Sequence, residues 1–261
     1  MGTVSKALEL LNLFTRARPL IGLSDLARLA GVNKATCYRL MTELAEFGLV
    51  EQIGTGREYR LGPAVLRLAV LREAQVPMRD AAMPVLQALA QATGETAHLS
   101  ILIGGALRTL AHAYATAHAT KVTMEDAEVL PFHATSSGMA VLAFQPEAFQ
   151  AGVLAAPLQR LTEVTETDVA ALRARLAQVQ ASGIAESAGG YESDVSSMAV
   201  PLFDARGQCC GGLSVAALSS RMTPAQRDLI RSEITRAGAE ITTSWGGTLP
   251  PAIATLWRAR A

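Results

Sequence analysis

Ala35, Tyr38, Arg39 and Thr42 fall on one side of a helical wheel drawn from residue 34 to residue 46, and Cys37, Leu40, Met41 and Leu44 fall on the other. The second set is apolar and belongs in a core. The first set brings together a guanidinium, two hydroxyls and a methyl group, the kinds of group that read base edges in a DNA major groove. Lys34 and Thr36 flank that face at the helix start. There, free backbone amides point outward and phosphate oxygens are favoured. The chemistry on offer is recognition of a duplex by hydrogen bonds and charge.

The surrounding sequence supplies the elements that would hold such a helix. Asn33 is placed to cap it, and Gly31 sits where the preceding helix must turn through a left-handed conformation. That preceding helix is expected to be capped by Ser24, with Asp25 favoured by the dipole in its first turn. Upstream, Val4, Ala7, Leu8, Leu11 and Phe14 recur at helical spacing and are expected to close a three-helix core. Downstream, two short alternating runs surround Gly54-Thr55-Gly56 and read as a β-hairpin. Directly behind a recognition helix this hairpin is a wing, with Thr55, Gly56 and Arg57 at its tip beside the phosphate backbone. An amphipathic helix pair followed by a hairpin also occurs for purely structural reasons. Agreement of caps, turn, face chemistry and wing favours the winged helix-turn-helix.

Other reactive side chains are present without the spacing that catalysis needs. His98, His112, His118 and His133 show no metal-binding helical repeat, and no cysteine pair completes a zinc set. His98 and His112 lie in alternating segments, where a hydrogen-bonded core or rim histidine is the common case. His133 precedes a candidate anion site and either assists a ligand or serves the fold. Cys37 belongs to the buried stripe. Cys209 and Cys210 alternate in and out along a strand; a vicinal disulfide or thiol sensor is the other reading, with no basic partner nearby in sequence. Neither a phosphate-binding glycine loop nor a Gly-x-Ser-x-Gly elbow occurs. The chain therefore reads as a binder rather than an enzyme, with no cofactor and no metal expected.

Composition narrows the class further. The chain has 261 residues, half of them apolar, enough for one sizeable core and one small one. Its 23 lysines and arginines balance 23 aspartates and glutamates, so it has no net charge with which to coat nucleic acid indiscriminately. Residues 1–62 carry a net charge of only +2, which favours dimeric, sequence-directed contact over a polycationic one. Apolar runs fall far short of the ~18–20 residues a bilayer requires, and the N-terminus lacks a cleavage pattern. No membrane partner is expected, and the cytoplasm is the expected compartment.

Beyond the hairpin, Pro63 leads into an apolar helical pattern over 64–74, suited to a linker, and Met78–Ala92 resumes a helix. Glu95–Ile103 and Ala106–Ala115 alternate around Gly104-Gly105 as a strand pair. A short helix is expected over Ser136–Phe144. A capping box, Thr165-Glu166-Thr167-Asp168, opens another that runs to Gly183. Ser196–Phe203 and Gln208–Ala217 are strands around Asp204-Ala205-Arg206-Gly207, and Thr223-Pro224 starts a helix to about Ser244. This order is α+β with an antiparallel sheet.

These segments resemble the isocitrate lyase regulator (IclR) family of bacterial transcription factors. The likeness lies in Leu23–Gly31, Lys34–Leu44 and the hairpin ending at Gly62. It continues in Leu130-Pro131-Phe132-His133-Ala134-Thr135-Ser136-Ser137-Gly138-Met139-Ala140, in Gly183-Ile184-Ala185-Glu186, in Met198–Gly207 and in Gly211-Gly212-Leu213-Ser214-Val215. The resemblance implies a winged helix-turn-helix domain over 1–62, a helical linker over 63–76 and an effector-binding domain of the GAF/PAS kind over 77–261. It implies a double-stranded DNA operator, a small-molecule effector and a homodimer or homotetramer. Carried over by position, the effector residues are Ser136 and Ser137 with their amides, Ser187 where an acid is usual, Ser197 where cysteine is frequent, Ser214, and Ala216 in place of a second serine. Exchanging an acid for Ser187 and a hydroxyl for Ala216 removes polar contacts, so a less polar organic acid or an aromatic metabolite is expected. These serines also have a local role open to them, satisfying nearby backbone groups. The competing reading is a GAF-like sensor with redox or hydrolytic activity in the C-terminal pocket.

Overall fold

The computed structural model describes residues 2–15, 18–54, 58–75, 77–123 and 128–258, without the side chains of 72–75. Thr55, Gly56 and Arg57, expected at the hairpin tip, lie outside the described residues. The chain divides into two compact units, Met1–Pro77 and Met78–Ala261.

In the first unit, α1 (Thr3–Asn12), α2 (Leu23–Leu29) and α3 (Lys34–Glu46) precede an antiparallel pair, β1 (Val50–Ile53) and β2 (Glu58–Leu61). Helix α4 (Pro63–Gln75) follows. The Asn33 side chain accepts from the Thr36 amide at 2.8 Å, as a cap should. Gly31 takes φ +63°, letting the chain reverse between α2 and α3. Ser24 does not cap α2: the N-cap is Gly22, without a side-chain bond, and Ser24 lies inside the first turn. Cys37, Leu40, Met41 and Leu44 are buried with Leu26, Val50 and Tyr59. On α1 it is Leu10 that seals this core, helped by Ala7 and Leu11, while Val4 and Leu8 are exposed. The helical period was legible there, but the buried stripe is rotated toward Leu10.

The second unit begins with α5 (Met78–Thr93), then β3 (Thr96–Ile103), β4 (Ala106–Ala113) and the short β5 (Val129–Leu130). Helices α6 (Ser136–Ala143), α7 (Glu147–Ala155) and α8 (Val169–Ser182) come next. Strands β6 (Ala185–Ala188), β7 (Val195–Phe203) and β8 (Cys209–Leu218) lead to α9 (Pro224–Ser244) and α10 (Pro251–Arg258). The cap of α8 is Asp168, accepting from the Ala171 amide at 2.8 Å. Thr165, expected to open that helix, instead ties the preceding loop by donating to the Gly190 carbonyl at 2.7 Å.

Six strands form one antiparallel sheet in the order β5-β4-β3-β8-β7-β6. Strand alternation divides the labour of its faces. Ala97, Leu99, Met198, Val200, Leu202, Leu213, Val215 and Ala217 join the large core with Leu86 and Leu89 of α5 and Ile230, Ile234 and Ile241 of α9. The residues between them, His98, Ser100, Ser197, Ser214 and Ala216, point to the other face. That face is covered by α6, whose Met139 and Leu142 pack with Leu172 and Leu176 of α8. Part of this face is apolar, with Ala185 and Ala199 joining the α6–α8 cluster, and the cavity forms where it carries hydroxyls.

Candidate functional site

Helix α6 is seated by its own sequence. Thr135 accepts from the Gly138 amide at 2.9 Å and donates to the Pro131 carbonyl at 2.9 Å. A Cβ on Gly138 would stand 2.5 Å from both the Phe132 Cα and the Pro131 oxygen, so only glycine lets the helix lie this close to the preceding strand segment. The Ser136 and Ser137 amides then open the helix with no acceptor among the described residues, at the end of the helix that favours negative charge.

A narrow cavity lies beside this helix start. The space in which the centre of a water molecule could move is about 50 Å³, room for a small molecule. Ser136, Ser187, Ser197 and Ala216 all line it. Their hydroxyls are partly committed: Ser136 donates to Ser197 at 2.8 Å, and Ser187 donates to the Ala134 carbonyl at 2.9 Å. Local backbone satisfaction and a place on the wall are therefore both realised at Ser187.

Ser137 and Ser214 do not line the cavity; they lie fully buried behind it. Ser137 donates to Ser214 at 2.9 Å, and Ser214 in turn bonds His98 Nε2. His98, paired across the sheet with Ser214 and His112, borders the cavity with its side chain buried. Burial, and secondarily His112, pull its pKa down to about 4, so the ring is neutral at physiological pH. The other ring nitrogen, Nδ1, is buried with no partner among the described residues.

His98 is the hydrogen-bonded core or rim histidine that the sequence led to, but its place on the wall was not foreseen, nor were those of Thr123, Glu128, Tyr191 and Glu192. For His98 a signal existed, because it sits between core residues Ala97 and Leu99 and opposite Ser214. Glu128 and Tyr191, which hydrogen-bond each other, come from loops with no periodicity to read. His133 is buried away from the cavity, its Nε2 on the Gln159 carbonyl at 2.9 Å. The thiols are poor nucleophiles: burial, then Cys210, pushes Cys209 to about 12, and burial, then Asp204, pushes Cys210 to about 11.

In the first unit, Lys34, Ala35, Tyr38, Arg39 and Thr42 are exposed on α3, with Thr36 half-buried. Lys34 and Arg39 have no ion-pair partner among the described residues, whereas Arg28 pairs with Asp25 at 2.9 Å and Arg60 with Glu51 at 2.5 Å. These two cations, exposed on α3 and unpaired among the described residues, leave a surface ready for an anionic partner.

Family models match both units: the IclR helix-turn-helix domain over residues 3–54, and the C-terminal part of the bacterial transcriptional regulator IclR over residues 71–243. The chain belongs to the IclR family. Among relatives, the IclR-family chain is 27% identical to the HTH-type transcriptional regulator XynR of Escherichia coli K12, over 94% of this chain and 97% of that one. It is 28% identical to the regulator BhcR of Paracoccus denitrificans, over 91% and 85%. A crystal structure of an IclR transcriptional regulator from Silicibacter sp. TM1040 superposes with a TM-score of 0.92 at 55% identity, covering 97% of this chain and 99% of that one. An IclR homologue from Microbacterium hydrocarbonoxydans, crystallised with 4-hydroxybenzoate, matches with a TM-score of 0.58 at 26% identity, covering 94% and 99%. The IclR chain is accordingly an α+β transcriptional regulator with an N-terminal helix-turn-helix. None of its described helices is long and apolar enough to cross a membrane.

Proposed function

We propose that the protein binds a DNA operator through α3 and that a small molecule held beside α6 controls that binding. The observation that carries the reading is the two-sided build of α3, which buries Cys37, Leu40, Met41 and Leu44 and exposes Ala35, Tyr38, Arg39 and Thr42. Arg39 and Thr42, with Tyr38 and Ala35, address base edges; Lys34 and Thr36 address phosphates, joined by Thr55, Gly56 and Arg57 of the hairpin tip. Residues 1–62 are the DNA-binding domain, 63–76 the linker and 77–261 the effector domain.

The effector site is the cavity lined by Ser136, Ser187, Ser197 and Ala216, with Ser137 and Ser214 supporting it from behind through His98. The effector acts through unequal affinity for two arrangements of the heads. Helix α4 supports self-association: Leu66 and Val70, one turn apart, are 70% and 60% exposed, with Leu68 and Leu71 also exposed. Exposed apolar residues of this kind around a helix are suited to a second copy of the chain, so the operator carries paired half-sites, read in the cytoplasm. Binding, not turnover, is the activity; the raised thiol pKa values weigh against a redox sensor.

Selection of bound sequences from a random duplex pool, with full-length wild type and Arg39→Ala, tests this. The wild type is expected to enrich one paired motif, and the variant to lose base preference at one position of each half-site by about ten- to hundredfold. A wild-type protein that enriches no motif refutes the reading.

A further inference from the structure

Among the described residues, the charges on the cavity wall are all of one sign. Among the described residues, Glu128 and Glu192 are its charged side chains, and no lysine or arginine borders it. Glu128 is half-buried and accepts the Tyr191 hydroxyl, whose ring borders the same space. Glu192 stands exposed at the mouth, and burial, then Asp194, then Glu128, raise its pKa. These carboxylates have neighbours of like charge and no counter-ion on the wall among the described residues. His98, held neutral, supplies none. A plain anion entering here meets repulsion, whereas a protonated nitrogen finds a carboxylate pair and a tyrosine ring, which attract cations.

The wall also offers a donor: the Ser136 amide opens α6 beside the cavity, with no acceptor among the described residues. A ligand with a carboxylate as well as an amine would use both sets of groups.

Resting on the reading of this cavity as the effector site, we propose that its ligand is a small molecule carrying a protonated amine, with an amino acid preferred to a simple amine and both preferred to a plain carboxylic acid. This departs from the organic acid or aromatic metabolite that the sequence led us to expect.

The test uses full-length protein and titration calorimetry with matched sets: leucine, 4-methylpentanoate and isopentylamine; 4-aminobutyrate, butyrate and butylamine; phenylalanine, 3-phenylpropionate and phenethylamine. In the set that fits the narrow cavity, the amino acid is expected to bind about tenfold or more tightly than the acid lacking nitrogen. Glu128→Gln, which keeps an acceptor for Tyr191, is expected to remove that preference. Glu192→Gln at the exposed mouth is expected to reduce it, and provides the answer if the first variant fails to fold. An acid that binds as tightly as its aminated counterpart, or a preference untouched by both substitutions, overturns the inference and leaves the effector site standing. No binding by any member, by a protein that still binds its operator, overturns the effector-site reading and this inference with it.

Discussion

His98 gives the clearest quantitative handle on the second unit. Its side chain is buried, its Nε2 is tied to Ser214, and its pKa is pulled from 6.5 to about 4. In the unfolded chain the ring takes up a proton near pH 6.5; in the folded chain it resists until about pH 4. The unfolded state therefore binds more protons throughout that window, and stability falls as pH falls. The contribution is fully present above pH 6.5 and progressively lost below it. Each pH unit of difference is worth about 1.4 kcal/mol, so the loss attributable to this one ring is about 3 kcal/mol by pH 4.

Replacing the ring with a group that does not titrate isolates this part. His98→Gln retains an amide that can meet Ser214, and every other titrating group is common to both proteins. Urea unfolding of wild type and variant, followed by tryptophan fluorescence at intervals from pH 7.5 to pH 4, gives the two stability curves. The variant is expected to start lower, because its packing is imperfect, but to decline by about 3 kcal/mol less over the window. Parallel curves, differing in slope by less than about 1 kcal/mol, would refute the reasoning. They would mean that the ring is either protonated in the fold with a carboxylate counter-ion or hydrated from the cavity.

Two further outcomes follow from backbone geometry. Gly138→Ala places a Cβ 2.5 Å from backbone atoms of residues 131 and 132; these cannot swing aside like a side chain, so a loss of about 1–3 kcal/mol is expected, read as a lower thermal midpoint and weakened effector binding. Asn33→Ala removes the bond to the Thr36 amide, costing about 1 kcal/mol of the head's stability by chemical denaturation and lowering operator affinity without altering the preferred motif. A changed motif would mean that Asn33 touches DNA rather than acting through the helix start.

How far the sequence led depends on what kind of signal each residue carried. On α3 the cap, the glycine turn and the buried stripe are local, and periodicity alone placed Cys37, Leu40, Met41 and Leu44 in the core, as observed. On α1 Ala7, Leu11 and Phe14 of the expected stripe pack against the core, while Leu10 takes the buried place expected of Val4 and Leu8. Caps were misassigned where two candidates stood close together. Asp168 rather than Thr165 caps α8, because Thr165 is drawn to the Gly190 carbonyl, a contact between residues 25 apart.

The cavity shows the same limit more sharply. Ser136, Ser187, Ser197 and Ala216 were within reach because the resemblance to the family carries them over by position, and all four line the cavity. Strand alternation also carried information that went unused: His98 must face away from Ala97 and Leu99, and antiparallel pairing must set it against Ser214. Glu128 and Tyr191 obey no such rule. They lie 63 residues apart, one just before β5 and one in the β6–β7 connection, and meet only in the folded domain. The charge of the site, which decides between an acid and an amine, therefore resides in the part of the chain whose position is set by the assembled sheet and not by any local pattern. A positional transfer of serines alone gives an uncharged pocket and points to a less polar ligand. Adding the rim makes the same pocket acidic, and the preferred ligand changes sign.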